Sequence, residues 1–94
     1  MSHVSDKDEA RLVAIAEELR AFIANDLGRH GVSCISIDDD LFGSGVLDSM
    51  GVVEVMSFCE ARYQFTFDLS VIGEETFSSL RRLAGCVASA TSHR

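Results

Sequence analysis

The sequence predicts an all-α fold: a bundle of three long helices, a short fourth helical turn before the last of them, and a long loop between the first and second. Three observations carry this prediction. Apolar residues recur at three- and four-residue steps in three separate segments, the mark of a helix face turned to a core. A single stretch, Phe65-Thr66-Phe67-Asp68-Leu69, alternates as a strand would, and no second convincing strand is there to pair with it. The chain contains no proline, which suits continuous helices without requiring them.

The first helix is expected from Asp6 to Leu27. Leu12, Ile15, Ala16, Leu19, Phe22, Ile23 and Leu27 share one face, and Arg11, Glu17, Glu18 and Arg20 fall mainly on the other. Ser5 is a natural N-cap, and Asp6, Asp8 and Glu9 suit the positive end of the helix dipole. Gly28 is a natural stop. From Gly28 to Asp48 the chain holds glycines, serines and scattered apolar residues with no sustained period; Ile35-Ser36-Ile37 suits an extended segment. Loops longer than about 12–15 residues are uncommon in compact domains and are often functional, so this loop is itself a clue.

The second helix is expected from Ser49 to about Gln64, with Val52, Val55, Met56, Cys59 and Tyr63 turned inward. Its opposite face, Met50, Val53, Glu54, Ser57 and Ala61, is unusually apolar and small for a solvated surface, as a docking face would be. Phe65 to Leu69 then reads as an extended connector whose aromatics plug the bundle. Gly73, Glu74 and Glu75 open a short helical turn. Ser78 is placed to cap a last helix from Ser79 to about Ser89, with Leu80, Leu83, Ala84 and Val87 as its core stripe. The expected core is Leu12, Leu19, Phe22, Ile23, Val55, Cys59, Tyr63, Leu80, Leu83 and Val87. Residues 1–94 read as one domain with its core at about 6–89, and the polar ends read as complete ends that fray.

Composition narrows the function. The formal net charge of −7 repels phosphate backbones and anionic lipid, which argues against nucleic-acid or membrane-surface binding and favours basic protein partners. No apolar run reaches the roughly twenty residues of a membrane span, and the start has no signal-peptide core. Cys34, Cys59 and Cys86 are odd in number and widely spaced. They suggest neither a zinc site nor a disulfide framework, but reduced thiols in a cytoplasmic protein, with Cys59 and Cys86 acting in packing.

The residues that could carry chemistry lie between Leu41 and Glu54, in Leu41-Phe42-Gly43-Ser44-Gly45-Val46-Leu47-Asp48-Ser49-Met50-Gly51-Val52-Val53-Glu54. Ser49 closes a glycine-bearing loop and opens an amphipathic helix. Its hydroxyl is therefore expected to be exposed, beside unpaired backbone N–H groups and the positive end of the helix dipole, a favourable place for a phosphate ester. Asp48 is placed either to cap the helix or to bind a metal brought by a modifying enzyme. Taken alone, the pair is better read as a helix cap and nothing more, since such caps are very common.

The segment Asp40 to Val55, set in this order of helices, resembles the acyl carrier protein family, whose motif is Asp-Ser-Leu or Asp-Ser-Met at the start of the second helix. Here it stands as Asp48-Ser49-Met50, and the similarity covers roughly Arg11 to Ala88. The resemblance implies a monomeric, free-standing carrier, not an enzyme. Its Ser49 would bear 4'-phosphopantetheine from coenzyme A, installed by a phosphopantetheinyl transferase. Asp48 would help recruit that transferase and its metal ion. The arm would carry an acyl or aminoacyl group as a thioester, loaded by an activating ligase or synthase and held at high effective concentration near partner active sites. Met50, Val53, Glu54 and Ser57 would be presented to partners. Gly51 stands where carriers of fatty-acid synthesis usually have an acid, and Ala61 and Arg62 replace further acids; Asp-Ser-Met-Gly is closer to D-alanyl and specialised-pathway carriers.

Other chemistries fit less well. A hydrolase elbow needs glycine two residues before the nucleophile, where Leu47 stands, and His3, His30 and His93 read as solvated. Gly43-Ser44-Gly45 lacks the third glycine and the preceding strand of a nucleotide loop. Asp38-Asp39-Asp40 lacks the calcium-loop spacing, with Phe42 and Ser49 at two ligand positions, and reads as a solvated acidic turn. The rival from another class is an unmodified helical adaptor that binds a partner through the second helix and needs no hydroxyl at Ser49.

Overall fold

The computed structural model describes residues 6–68, 70 and 72–91; the Ser5 cap and the Leu69 end of the connector lie outside the described residues. The fold is all-α. Helix α1 spans Asp6–Asn25, α2 Ser49–Tyr63 and α3 Leu80–Thr91. Two 3-10 turns, His30–Cys34 and Glu74–Phe77, punctuate the connections. The second is the short helical turn expected after Gly73. The first lies inside the long loop, where the sequence shows no helical period.

Helix α1 ends two residues before Leu27. Gly28 makes the turn, with φ at +69°, a conformation that costs a residue with a Cβ. The Arg29 N–H then reaches back to the Ile23 carbonyl at 3.0 Å. Helix α2 stops at Gln64, whose left-handed φ of 59° lets its N–H return to the Glu60 carbonyl. Helix α3 is capped by Ser79, not by Ser78: Ser79 Oγ accepts from the Arg82 N–H at 3.1 Å, while Ser78 closes the preceding 3-10 turn. Nor does α3 stop at Ser89. It runs to Thr91, whose hydroxyl donates to the Val87 carbonyl and accepts from Arg11 on α1.

Seven of the ten expected core residues are buried: Leu19, Ile23, Val55, Cys59, Leu80, Leu83 and Val87. Leu12, Phe22 and Tyr63 are half-buried against them. Phe22 of α1 stacks on Phe58 of α2 with ring centroids 4.2 Å apart. Tyr63 and Arg62 both donate to Glu18, tying the end of α2 to α1. Phe67 is buried and meets Phe77 at 5.9 Å, so the connector does plug the bundle. Its backbone is fixed as well, by the Phe67 N–H donating to Glu60 Oε2.

The long loop is the main surprise. Val32, Leu41, Val46 and Leu47 are as buried as the helix cores. Arg20 reaches out of α1 and donates to the carbonyls of Val32 and Ile35 at 2.6 and 2.7 Å. Farther along, the Leu41 N–H donates to the Ser78 carbonyl and the Arg81 N–H to the Ile37 carbonyl. Arg81 also pairs with Asp38 and with Glu9 of α1. The loop is thus packed and hydrogen-bonded to α1 and α3, and it delivers Asp48 to a fixed place.

Candidate functional site

The loop closes on the site through a tight turn. The Leu41 carbonyl accepts from the N–H groups of both Val46 and Leu47, and Gly45 within that turn has φ of +79°. Val46 and Leu47 are drawn into the core, and the chain emerges at Asp48 in extended conformation. Gly43-Ser44-Gly45 is therefore a hydrogen-bonded turn. Asp39 and Asp40 accept from the N–H groups of Ser36 and Phe42, and the exposed acidic run serves to shape the loop. Among the described residues no cluster of His, Cys, Asp or Glu is arranged to hold a metal.

Asp48 is the N-cap of α2. Its Oδ1 accepts from the Gly51 N–H at 2.8 Å, and its carbonyl accepts the first helical bond, from Val52. Its Oδ2 accepts from Arg29 Nη2 at 2.9 Å. The Gly51 N–H above all holds the carboxyl below the usual carboxylate range; desolvation opposes it, and Arg29 adds to the lowering. Gly51 is buried beneath the cap. A Cβ there would stand 2.9 Å from Leu47 Cδ1 and 3.3 Å from Asp48 Oδ1, so this glycine is packed tightly under the cap.

Because Asp48 supplies the cap, the Ser49 hydroxyl is left over. Ser49 is exposed on the first turn of α2, and its Oγ has no hydrogen-bond partner among the described residues. The two readings of the Asp-Ser pair are therefore divided between its members: Asp48 caps, Ser49 is available. Beside Ser49 opens a groove of about 990 Å³. Its apolar wall comes from Val52 and Met56 of α2 and from Ile72 and Phe77 across the gap; Asp40, Asp48 and Glu75 add carboxylates. Farther along α2, Met50 and Val53 are 75% and 61% exposed, and Glu54 and Ser57 are exposed with them.

Ile72, Phe77 and Arg29 were not singled out in the sequence. Ile72 and Phe77 carry a faint signal, apolar residues bracketing a polar turn. Arg29 carries none, since nothing in a spacing of 19 residues pairs it with Asp48. Cys59 is buried and Cys86 half-buried, as packing residues are; Cys34 is exposed. No helix among the described residues is long and apolar enough to cross a membrane.

The chain matches a family model described as phosphopantetheine attachment site over residues 17–87. It is similar to the D-alanyl carrier protein of Streptococcus suis (strain 05ZYH33), at 40% identity over 47 residues, which are 50% of this chain and 60% of that protein. It is also similar to the D-alanyl carrier protein of Streptococcus sanguinis (strain SK36), at 31% identity over 80% of this chain and 84% of that one. A third such protein, from Streptococcus thermophilus (strain ATCC BAA-491 / LMD-9), is 36% identical over 60% of its own length. The chain thus spans less than two thirds of the length of two of these three relatives. No solved structure matches it significantly.

Proposed function

Because the chain belongs to the family of phosphopantetheine attachment domains, we propose that Ser49 is the residue that bears its arm and that the chain delivers an aminoacyl or related acyl group to partner enzymes. The observation that carries the assignment is the exposed Ser49 Oγ, left without a partner because Asp48 alone caps α2. The fit is good on both sides of that oxygen. The first turn of α2 places unpaired backbone N–H groups and the positive end of a helix dipole near an incoming phosphate. The groove beside it is open, so the arm meets no obstruction where it joins the chain. When bound, the arm supplies a thiol that holds the cargo as a thioester.

In the modification a transferase joins Ser49 Oγ to the phosphopantetheinyl phosphorus of coenzyme A. The pyrophosphate bond breaks, adenosine 3',5'-bisphosphate leaves, and the serine proton passes to a base. Asp48, fixed as the cap and adjacent in sequence to Ser49, helps recruit the transferase with its metal. An activating ligase or synthase then loads the cargo. The names of the streptococcal relatives favour D-alanine or a related amino acid. Met50, Val53, Glu54 and Ser57 form the docking face, which is exposed and mostly uncharged. Unpaired thiols at Cys34, Cys59 and Cys86 suit a reducing, cytoplasmic setting. Family membership favours the modified carrier over the unmodified adaptor.

Intact mass before and after incubation with coenzyme A, magnesium and a broad-specificity phosphopantetheinyl transferase tests the assignment. The chain is expected to gain one phosphopantetheinyl group, and Ser49→Ala none. A Ser49→Ala variant that still gains the group would refute it. Charging by a D-alanine-activating ligase, set against fatty-acyl and other aminoacyl ligases, then identifies the cargo.

A further inference from the structure

Esterification of Ser49 creates a local electrostatic problem. The product is a phosphodiester, a permanent anion, one residue from the Asp48 carboxylate. The described residues lining the groove beside it include Asp40, Asp48 and Glu75 and no lysine or arginine, and the whole chain carries a net charge of −7. Like charges at such close range repel unless a cation lies between them.

The cation in contact with the site is Arg29. Most of the other described arginines are engaged elsewhere: Arg11 at the end of α3, Arg20 on the Val32 and Ile35 carbonyls, Arg62 on Glu18, Arg81 on Asp38 and Glu9. Arg29 also sits on a fixed base. Its N–H is bonded to the Ile23 carbonyl and its carbonyl accepts from the Val32 N–H, on either side of its backbone. From that base the side chain crosses to Asp48 and uses one nitrogen, Nη2, on Oδ2. A guanidinium carries five N–H donors in a planar fork, and the Asp48 bond is the one hydrogen bond this side chain makes among the described residues. The side chain is 42% exposed, so it is not locked by packing.

We infer that Arg29 is the counter-ion of the attachment site. It pairs with Asp48 in the unmodified chain, and its guanidinium bridges the Asp48 carboxylate and the phosphodiester once Ser49 is esterified. This inference rests on the assignment of the arm to Ser49. Arg29 is a positioning residue: it sets the direction in which the arm leaves the first turn of α2 and removes the repulsion between two neighbouring anions. Arginine suits this task better than lysine, because the planar fork can hold a carboxylate and a phosphate together.

The test compares the unmodified and modified chain by NMR, with modification verified by intact mass. The Arg29 Nε–Hε correlation is expected to shift on modification, and to stay in place in Ser49→Ala treated identically. The phosphorus resonance of the modified chain is expected to stand apart from its position in the same chain unfolded in urea. In Arg29→Gln it should move towards that unfolded position, and Arg29→Lys should restore part of the difference. An Arg29 correlation that ignores modification, together with a phosphorus resonance unchanged in Arg29→Gln, overturns the inference while the arm is demonstrably present on Ser49. Failure of the wild type to gain mass overturns the assignment of Ser49 and this inference together.

Discussion

Replacing Leu41 by alanine measures whether the long loop is part of the core. Leu41 is fully buried although it lies in an irregular segment. Its N–H bonds to the Ser78 carbonyl, and its own carbonyl accepts from Val46 and Leu47. Alanine keeps all three backbone bonds, so the substitution isolates the lost side chain. Truncating a fully buried leucine removes its transfer free energy and leaves a cavity, together about 2–5 kcal/mol. Total stability for a domain of this size is on the order of 5–15 kcal/mol, so the loss is a large share of it. At roughly 4–8 °C per kcal/mol, the melting temperature should fall by at least about 8 °C. The assay is urea unfolding, read from the midpoint at constant m-value. Amide exchange at Val46 and Leu47 should accelerate on the order of 30-fold or more, if those amides exchange through the same opening, since about 1.4 kcal/mol is a factor of ten. Phe42→Ala, next door but 38% exposed, is the control and should cost far less. A Leu41→Ala cost below about 1 kcal/mol, matching Phe42→Ala, would show that the loop is not packed as described.

Three further predictions test the supports of the site. Arg20→Ala removes charge-assisted bonds to the Val32 and Ile35 carbonyls and should cost about 1.5–3 kcal/mol in urea unfolding; an unchanged midpoint would mean that Arg20 does not hold the loop. Gly45→Ala should destabilise by about 1–2 kcal/mol, since its φ is +79°, whereas Gly31→Ala, with open space for a Cβ and no positive φ, should be neutral or stabilising; equal effects would refute the turn geometry. Burial pushes the Cys59 thiol up from 9.0 to about 12, so the unfolded chain loses this proton at lower pH than the folded one, and stability should fall as pH rises from about 9 towards 12. Cys59→Ala should flatten that alkaline slope, and iodoacetamide at neutral pH should label the exposed Cys34 well before Cys59 in intact-mass time courses; fast labelling of Cys59 in the folded chain would contradict its burial.

Much of this protein was legible because it is written in short-range pattern. The helix faces follow from apolar spacing, and residues such as Leu19, Val55 and Leu83 had one interior to face. Gly28 announced a stop because a positive φ favours glycine. The Asp48-Ser49-Met50 segment drew notice through its resemblance to a family motif; its place at a helix N-terminus, with unpaired donors, made that resemblance chemically sensible. The misplaced details lie where two polar residues compete for one role. Ser78 and Ser79 are both good caps, and only the geometry of the preceding 3-10 turn, which uses Ser78 to close itself, leaves the cap to Ser79. Asp48 and Ser49 competed in the same way, and the bond from the Gly51 N–H gave the cap to Asp48.

The sequence by itself therefore determined the three helices and their inward faces, since each follows from residues within a turn or two of one another, and its resemblance to a family motif marked the segment proposed to carry the chemistry. Only the tertiary structure decided that the loop is a packed wall held by Arg20 and Leu41, that Ile72 and Phe77 face the groove, and that Arg29 stands at Asp48. Those pairings join residues far apart in the chain, and no local period or spacing encodes them. They arise when burial of the common core brings the end of α1, the loop and the start of α2 to one place.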